Sequence, residues 1–325
     1  MMNEFDSLVL MLKNKYPMLQ YFTNRTFGVE IEFFGLDYVI APIDGNIIKP
    51  YCISSRSKDG RNFCDLYNDY KIPIGTDRDS WHFEKDSSVR GKGHTRHGAE
   101  LISPILSGID GLLQVYQAFK LLCNIEGIDI DDSCGLHVHH GVARKAYNCK
   151  ELQQLVRIVH CYEEDFFLLI PGNRQNAETC RPMEIDVKAF MNVCAGDSGG
   201  ENCQIKKLWY SPENRYDEES SRNPRYDKTR YHGLNLHSYW YRSTVEFRYH
   251  SSVLDNIDEA MQWIIFTQFL IELGQGHVPD IYYSSQTNKW LDTLYMIYED
   301  FGYGDRIKHV NNNHSTPANI RGSTK

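Results

Sequence analysis

Apolar residues recur at intervals of three and four in residues 4–15, 111–125, 150–170 and 257–273, the spacing that lays one stripe along a helix. Pro171-Gly172 follows the third segment and Gly274 the fourth, as stop signals. Six shorter runs alternate apolar and polar positions instead: 27–34, 80–86, 99–103, 135–140, 233–237 and 243–250. These predict strands. Strands that do not alternate regularly with helices predict an α+β fold, an antiparallel or mixed sheet covered by helices on one face. Residues 40–79 and 197–230 break the pattern with long polar stretches that read as lids, binding loops or disorder, and 311–325 reads as a disordered tail. The expectation is one domain, 1–310, carrying insertions at 40–79 and 197–230.

Side chains two apart on a strand share a face, with their Cα atoms roughly 6.5 to 7 Å apart. In the first run Glu30 and Glu32 share a face opposite Val29, Ile31 and Phe33. In 135–140, His137 and His139 share a face opposite Leu136, Val138 and His140. In 242–250, Arg242, Thr244, Glu246, Arg248 and His250 alternate with Val245, Phe247 and Tyr249. Each run thus offers an apolar face for helices and a polar face rich in metal ligands and guanidinium groups. Lysine, the usual choice for a solvated face, is absent from all three.

Glu30, Glu32 and Glu246 brought together in a dry cleft would repel one another, because like charges held a few Å apart force protonation or need a counter-ion. Divalent cations resolve the conflict. An oxygen-rich set with one or two imidazoles suits Mg²⁺, with Mn²⁺ as a substitute, better than Zn²⁺. The carboxylates outnumber the needs of one hydrated ion, and such ions normally bridge phosphates, which points to ATP. Asp86 and Glu100 add two more acids from what reads as a hairpin; Asp86 is either a ligand or a turn acid. Arg90, Lys92, His94, Arg96 and His97 decorate the hairpin turn, either as a solvated tip or as a contact to carboxylate or phosphate.

Composition removes other classes. A formal net charge of -8 and a pI near 5.9 argue against nucleic acid as the main partner. No apolar run reaches about 18 residues, so no membrane span is expected. The first 21 residues mix charges with leucines, unlike a secretory signal. Nine scattered cysteines, an odd number without Cys-x-x-Cys spacing, suit reduced thiols in a cytoplasm. There is no Walker A run, Gly-x-Gly-x-x-Gly or His-Glu-x-x-His.

The order of the motifs resembles the amidoligases, carboxylate–amine ligases related in fold to glutamine synthetase and glutamate–cysteine ligase. The resemblance runs through Phe27-Gly28-Val29-Glu30-Ile31-Glu32-Phe33, Trp81 to Ser88, Gly98-Ala99-Glu100-Leu101-Ile102-Ser103-Pro104, Cys134-Gly135-Leu136-His137-Val138-His139, Asn235-Leu236 and Thr244-Val245-Glu246-Phe247-Arg248. It implies a curved antiparallel sheet whose concave face binds ATP and two or three Mg²⁺ ions, with helices on the convex face. Glu30, Glu32, Asp86, Glu100, His137 and Glu246 are implied as metal ligands, and Arg248, with Glu246, as catalytic. His139, Asn235, Arg242 and Arg248 are expected beside the nucleotide, and Arg174, with Arg90 and Lys92, beside the substrate. Two departures stand out: Ser87 follows Asp86 where glycine is common, and His82 sits beside the expected tryptophan. The implied chemistry phosphorylates a small-molecule or peptide carboxylate, then lets an amine attack the acyl phosphate. Two rivals remain: a zinc hydrolase built on His137, His139 and Glu246, and an inactive nucleotide-binding relative.

Overall fold

The computed structural model describes residues 4–15, 19, 22–39, 46–89, 98–142, 149–170, 174, 177–193, 204–215 and 226–276. The chain is α+β, built on one eight-stranded antiparallel sheet. Its strands are β1 (Thr26–Phe34), β2 (Ile47–Ile48), β3 (His82–Lys85), β4 (Gly98–Ile102), β5 (Leu106–Ser107), β6 (Gly135–Gly141), β7 (Leu234–Asn235) and β8 (Thr244–Ser251). They lie in the order β2-β3-β4-β1-β6-β8-β7, with β5 paired to β1. The strand that carries Glu30 and Glu32 is therefore central.

Alternation decides which side each residue takes. Val29, Ile31, Phe33, Leu136, Val138, Val245 and Phe247 are buried on one face. Over it lie the long helices α3 (Gly108–Asn124), α4 (Cys149–Leu169) and α9 (Ile257–Gly274), and the chain also forms α1 (Glu4–Lys15) and α5 (Val187–Met191). Phe166 of α4 stacks edge-on against Tyr249, and Trp81 donates its indole N–H to Gln114 of α3. Every residue of α9 from Glu259 to Gly274 is buried, so this helix is enclosed all round rather than amphipathic. His140, on the helix face as its parity requires, reaches Thr267 Oγ1 at 2.8 Å. Burial lowers the His140 pKa well below the usual imidazole value, so it is a neutral core residue. Among the described residues no helix is long and apolar enough to cross a membrane.

The sheet corrects the sequence reading in three places. The run 233–237 is strand only at Leu234–Asn235; Leu236 then turns into αR, and helix α8 (His237–Arg242) begins. Ser238 fixes this turn with its hydroxyl, whose one proton is shared between the carbonyls of Asn235 and Thr244, each 2.8 Å away. Arg242 consequently ends α8 instead of opening the β8 face, and Ser243 reverses the chain at φ 59°. Lastly, the register between β6 and β8 runs from Leu136↔His250 to Val138↔Phe247, which sets Arg248 and Tyr249 together opposite His137. This extra residue is a β-bulge, and past it the parity flips. His250 therefore packs on the helix side against Trp263, with its ring centroid 5.3 Å away.

Residues 46–79, expected as a lid or loop, contain β2 and helix α2 (Phe63–Asn68), whose Phe63 and Leu66 join the core. Phe63 meets Phe83 edge-on at 5.6 Å. Within 197–230, α6 (Gln204–Trp209) and α7 (Pro212–Arg215) are formed and Trp209 is buried. The tail from 311, and Arg90, Lys92, His94, Arg96 and His97, lie outside the described residues.

Candidate functional site

Three lateral rows cross the polar face. Glu84 of β3, Glu100 of β4 and Glu32 of β1 are successive register partners. Glu30 stands opposite His137. His139 stands opposite Glu246, which in turn stands opposite Asn235. Neighbouring strands are about 4.8 Å apart, so each row brings its side chains into direct contact range. The sheet thus gathers Glu30, Glu32, Glu100, His137, His139, Asn235, Glu246 and Arg248 on one surface, as alternation predicts.

The centre is tightly connected. His137 Nδ1 is 3.3 Å from Glu30 Oε2, and its Nε2 is 3.4 Å from Glu32 Oε1. His139 Nε2 lies 3.3 Å from Glu30 Oε1 and 3.7 Å from Glu246 Oε1, while its Nδ1 is 3.3 Å from the Thr244 hydroxyl. Glu30, His139 and Glu246 each offer a ligand atom within 4.8 Å of the others, close enough to share one cation. Glu32 is oriented by the backbone N–H of Gly135, which donates to Oε2 at 2.6 Å. Glu246 accepts from Asn235 Nδ2 at 2.5 Å and from Arg248 Nη1 at 2.6 Å.

Burial and charge set the protonation states. Burial by itself would raise Glu246, but His139 and Arg248 beside it outweigh that and hold its pKa at about 2. Glu30 is likewise pulled well below the usual carboxylate range by hydrogen bonds from His137 and His139, against its desolvation. His139 is raised by Glu246 and Glu30 despite burial. Glu100 goes the other way: burial, then the charges of Glu30, Asp86, Glu32 and Glu84, push it well above the carboxylate range. The β8 side is therefore compensated by guanidinium and imidazole, and the β3–β4 side carries acids in excess.

Two expected residues sit at the margin. Arg242 points its Nη1 to within 3.7 Å of Glu30 Oε1 from a side chain 52% exposed, so it guards the solvent side of the cluster. Asp86 lies just past β3 and accepts from both the N–H and the hydroxyl of Ser88 at 2.7 Å, so one oxygen already closes its own turn. Glu84 is the acid that alternation should have singled out, since it shares parity with His82 and Asp86 and pairs directly with Glu100. Its carboxylate is lowered by His82, whose Nε2 is 3.4 Å away. Arg174 is 2% exposed and donates to the carbonyls of Arg248 at 3.3 Å and Ser133 at 3.5 Å.

A cleft of about 650 Å³ opens at the strand ends near Thr26, Gly141 and Ser243. Its one guanidinium, Arg25, is already engaged by Glu272, Gln275 and the Gly141 carbonyl, so the cleft offers a ligand little charge.

No curated protein and no solved structure matches the chain. One family model does, that described as "Putative amidoligase enzyme", over residues 23–271. The match takes in the whole described sheet from β1 to β8, and with it every residue of the polar cluster. On that coverage the chain belongs to the amidoligase family.

Proposed function

We propose that the protein is an ATP- and Mg²⁺-dependent carboxylate–amine ligase that works through an acyl phosphate on a sheet of the glutamine synthetase type. The observation that carries the reading is the division of the polar face: an acid-rich half on β3, β4 and β1, and Arg248 locked to Glu246 on β8. Excess carboxylates call for hard cations, and the fixed guanidinium calls for an oxyanion.

The residues present fit two or three Mg²⁺ ions. Glu30, Glu246 and one imidazole would hold one; Glu32, Glu100 and Glu84, with Asp86 beside them, would hold the others. The donor set favours His139 as the imidazole ligand at the first position, with His137 bridging Glu30 and Glu32. Bound there, the ions would neutralise the phosphates of ATP and the charge that develops during transfer. Arg248 would stabilise the transferring phosphoryl group from the β8 side, and Glu246 fixes its fork. Asn235 orients Glu246, and Arg242, on the solvent side, would contribute charge toward a polyphosphate. The acid and the amine are small molecules or peptides. A reaction that consumes ATP fits the cytoplasm, where the cysteines stay reduced.

Heating the protein with and without Mg²⁺ and ATP tests the reading, because a ligand that binds only the native state raises the Tm. The ligase gains stability from the two together. A response to Zn²⁺ alone marks a hydrolase, and no response to any of them an inactive relative. Hydroxylamine, offered as a surrogate amine with a panel of amino acids and peptides, is then expected to trap a hydroxamate with release of ADP and phosphate. Release of AMP and pyrophosphate sinks the acyl-phosphate route.

A further inference from the structure

We infer that Arg174 is a positioning residue that clamps the β8 bulge and thereby aims Arg248, rather than a group that touches substrate. The inference rests on the ligase reading only for the role of Arg248; the clamp itself is a matter of backbone geometry.

Arg174 is 2% exposed, and no carboxylate among the described residues lies within ion-pair distance of it. Its Nη2 donates to the carbonyl of Arg248 and its Nη1 to that of Ser133. A buried guanidinium that commits both Nη groups to main-chain oxygens, with only Nε left without a partner among the described residues, holds backbone in place. The first of those oxygens belongs to the bulge, where the ladder between β6 and β8 is interrupted and the strand needs other support. Gly135 makes room for the arm: a Cβ there would stand 2.7 Å from Arg174 Nη2 and 2.6 Å from His137 Nε2.

The same segment holds the side chain of Arg248. Thr179 accepts from Arg248 Nε at 3.2 Å, and Glu246 accepts from Nη1. From the helix side, Glu163 of α4 accepts the Tyr249 hydroxyl at 2.6 Å, which pins the second bulge residue. The two bulge residues are thus gripped from opposite faces of the sheet, and Arg174 is the grip on the site side.

The test reads the clamp and the chemistry separately. Hydrogen–deuterium exchange on the apo protein follows the peptide 244–251 in Arg174→Gln, Arg174→Lys and Gly135→Ala. Exchange there is expected to quicken by roughly tenfold or more in Arg174→Gln and Gly135→Ala, with β1 and β4 unchanged and Arg174→Lys intermediate. Mg-ATP hydrolysis without acceptor supplies the second readout: kcat per folded molecule falls by about tenfold or more in Arg174→Gln, the KM for ATP stays within about twofold, and Arg174→Lys recovers part of the loss. Unchanged exchange in 244–251 overturns the clamp, as does a rise in the KM for ATP at constant kcat. Should the wild type neither bind nor hydrolyse Mg-ATP while 244–251 still loosens in Arg174→Gln, the clamp stands and the ligase reading falls.

Discussion

Glu32 and Glu100 face each other directly across the β1–β4 pair, and Glu84 stands beyond Glu100 in the same row on β3. Three carboxylates on adjacent strands are a local defect in the apo fold, since like charges directly opposite destabilise a sheet. Glu100→Gln is therefore expected to stabilise the metal-free protein by roughly 1 kcal/mol, a Tm gain of about 2–4 °C for a chain of this size. It is also expected to diminish the further gain from Mg²⁺ and ATP. A scanning calorimetry trace in EDTA that shows Glu100→Gln no more stable than wild type removes the row from the list of strained features.

Glu30 and Glu246 are the acids shared between the two imidazoles, and with His139 they offer three ligand atoms to one ion. In Glu30→Gln and Glu246→Gln the thermal shift produced by Mg²⁺ and ATP, about 2.7 kcal/mol at a hundredfold excess over Kd, is expected to vanish or shrink severalfold. Far-UV circular dichroism checks that the sheet survives. Retention of the full shift in both variants removes these acids from the metal site.

Arg248→Lys separates charge from geometry. Lysine keeps one positive charge but loses the planar fork that spans Glu246 and the Thr179 carbonyl. Turnover is expected to fall by roughly a hundredfold or more with nucleotide affinity little changed. The opposite result, a lower Tm with normal turnover per folded molecule, makes Arg248 a structural partner of Glu246.

Glu163 gives the protein a pH signature away from the polar cluster. Burial pushes its pKa up to about 7, although the Tyr249 hydroxyl and the Met183 N–H donate to it. The folded state thus keeps a proton that the unfolded state gives up near 4.5. Stability from this group is complete below about pH 4.5 and drains away as the pH rises to about 7, by on the order of 3 kcal/mol. Urea melts between pH 4.5 and 8 are expected to show this decline in wild type minus Glu163→Gln. A flat difference contradicts the assignment.

Much of this site was legible because alternation on a strand is a local rule. Glu30 with Glu32, and His137 with His139, land on the polar face as their spacing requires, and their opposites Val29, Ile31 and Val138 are buried. The rule fails where backbone geometry is set from outside the strand. His250 obeys the same spacing as Glu246 and Arg248, yet the bulge opposite His137 sends it to the helices. Arg242 reads as a strand residue until the left-handed Ser243 places it on a helix. The partners of Arg174 are 41 and 74 residues away in sequence, and a buried arginine bonded to carbonyls leaves no periodic trace. Residues 46–79 looked like loop because β2 is two residues and α2 six, both shorter than the windows in which periodicity shows.

The chain order of the strands also sets the order in which the acids are made. The acids of β1 and β4 are synthesised before β6 and β8, and their register with one another needs neither later strand. Glu30 then waits for imidazoles from β6, and Glu246 arrives with Arg248 only near the end of the sheet. Until that last antiparallel pair forms, the nascent chain carries a concentrated negative patch beside unpaired strand edges, a species open to misassembly. Non-local pairings of this kind fold slowly. On the proposed metal reading, divalent cations would act on this chain before they ever meet a nucleotide, as ligands that quiet the acids of an unfinished sheet.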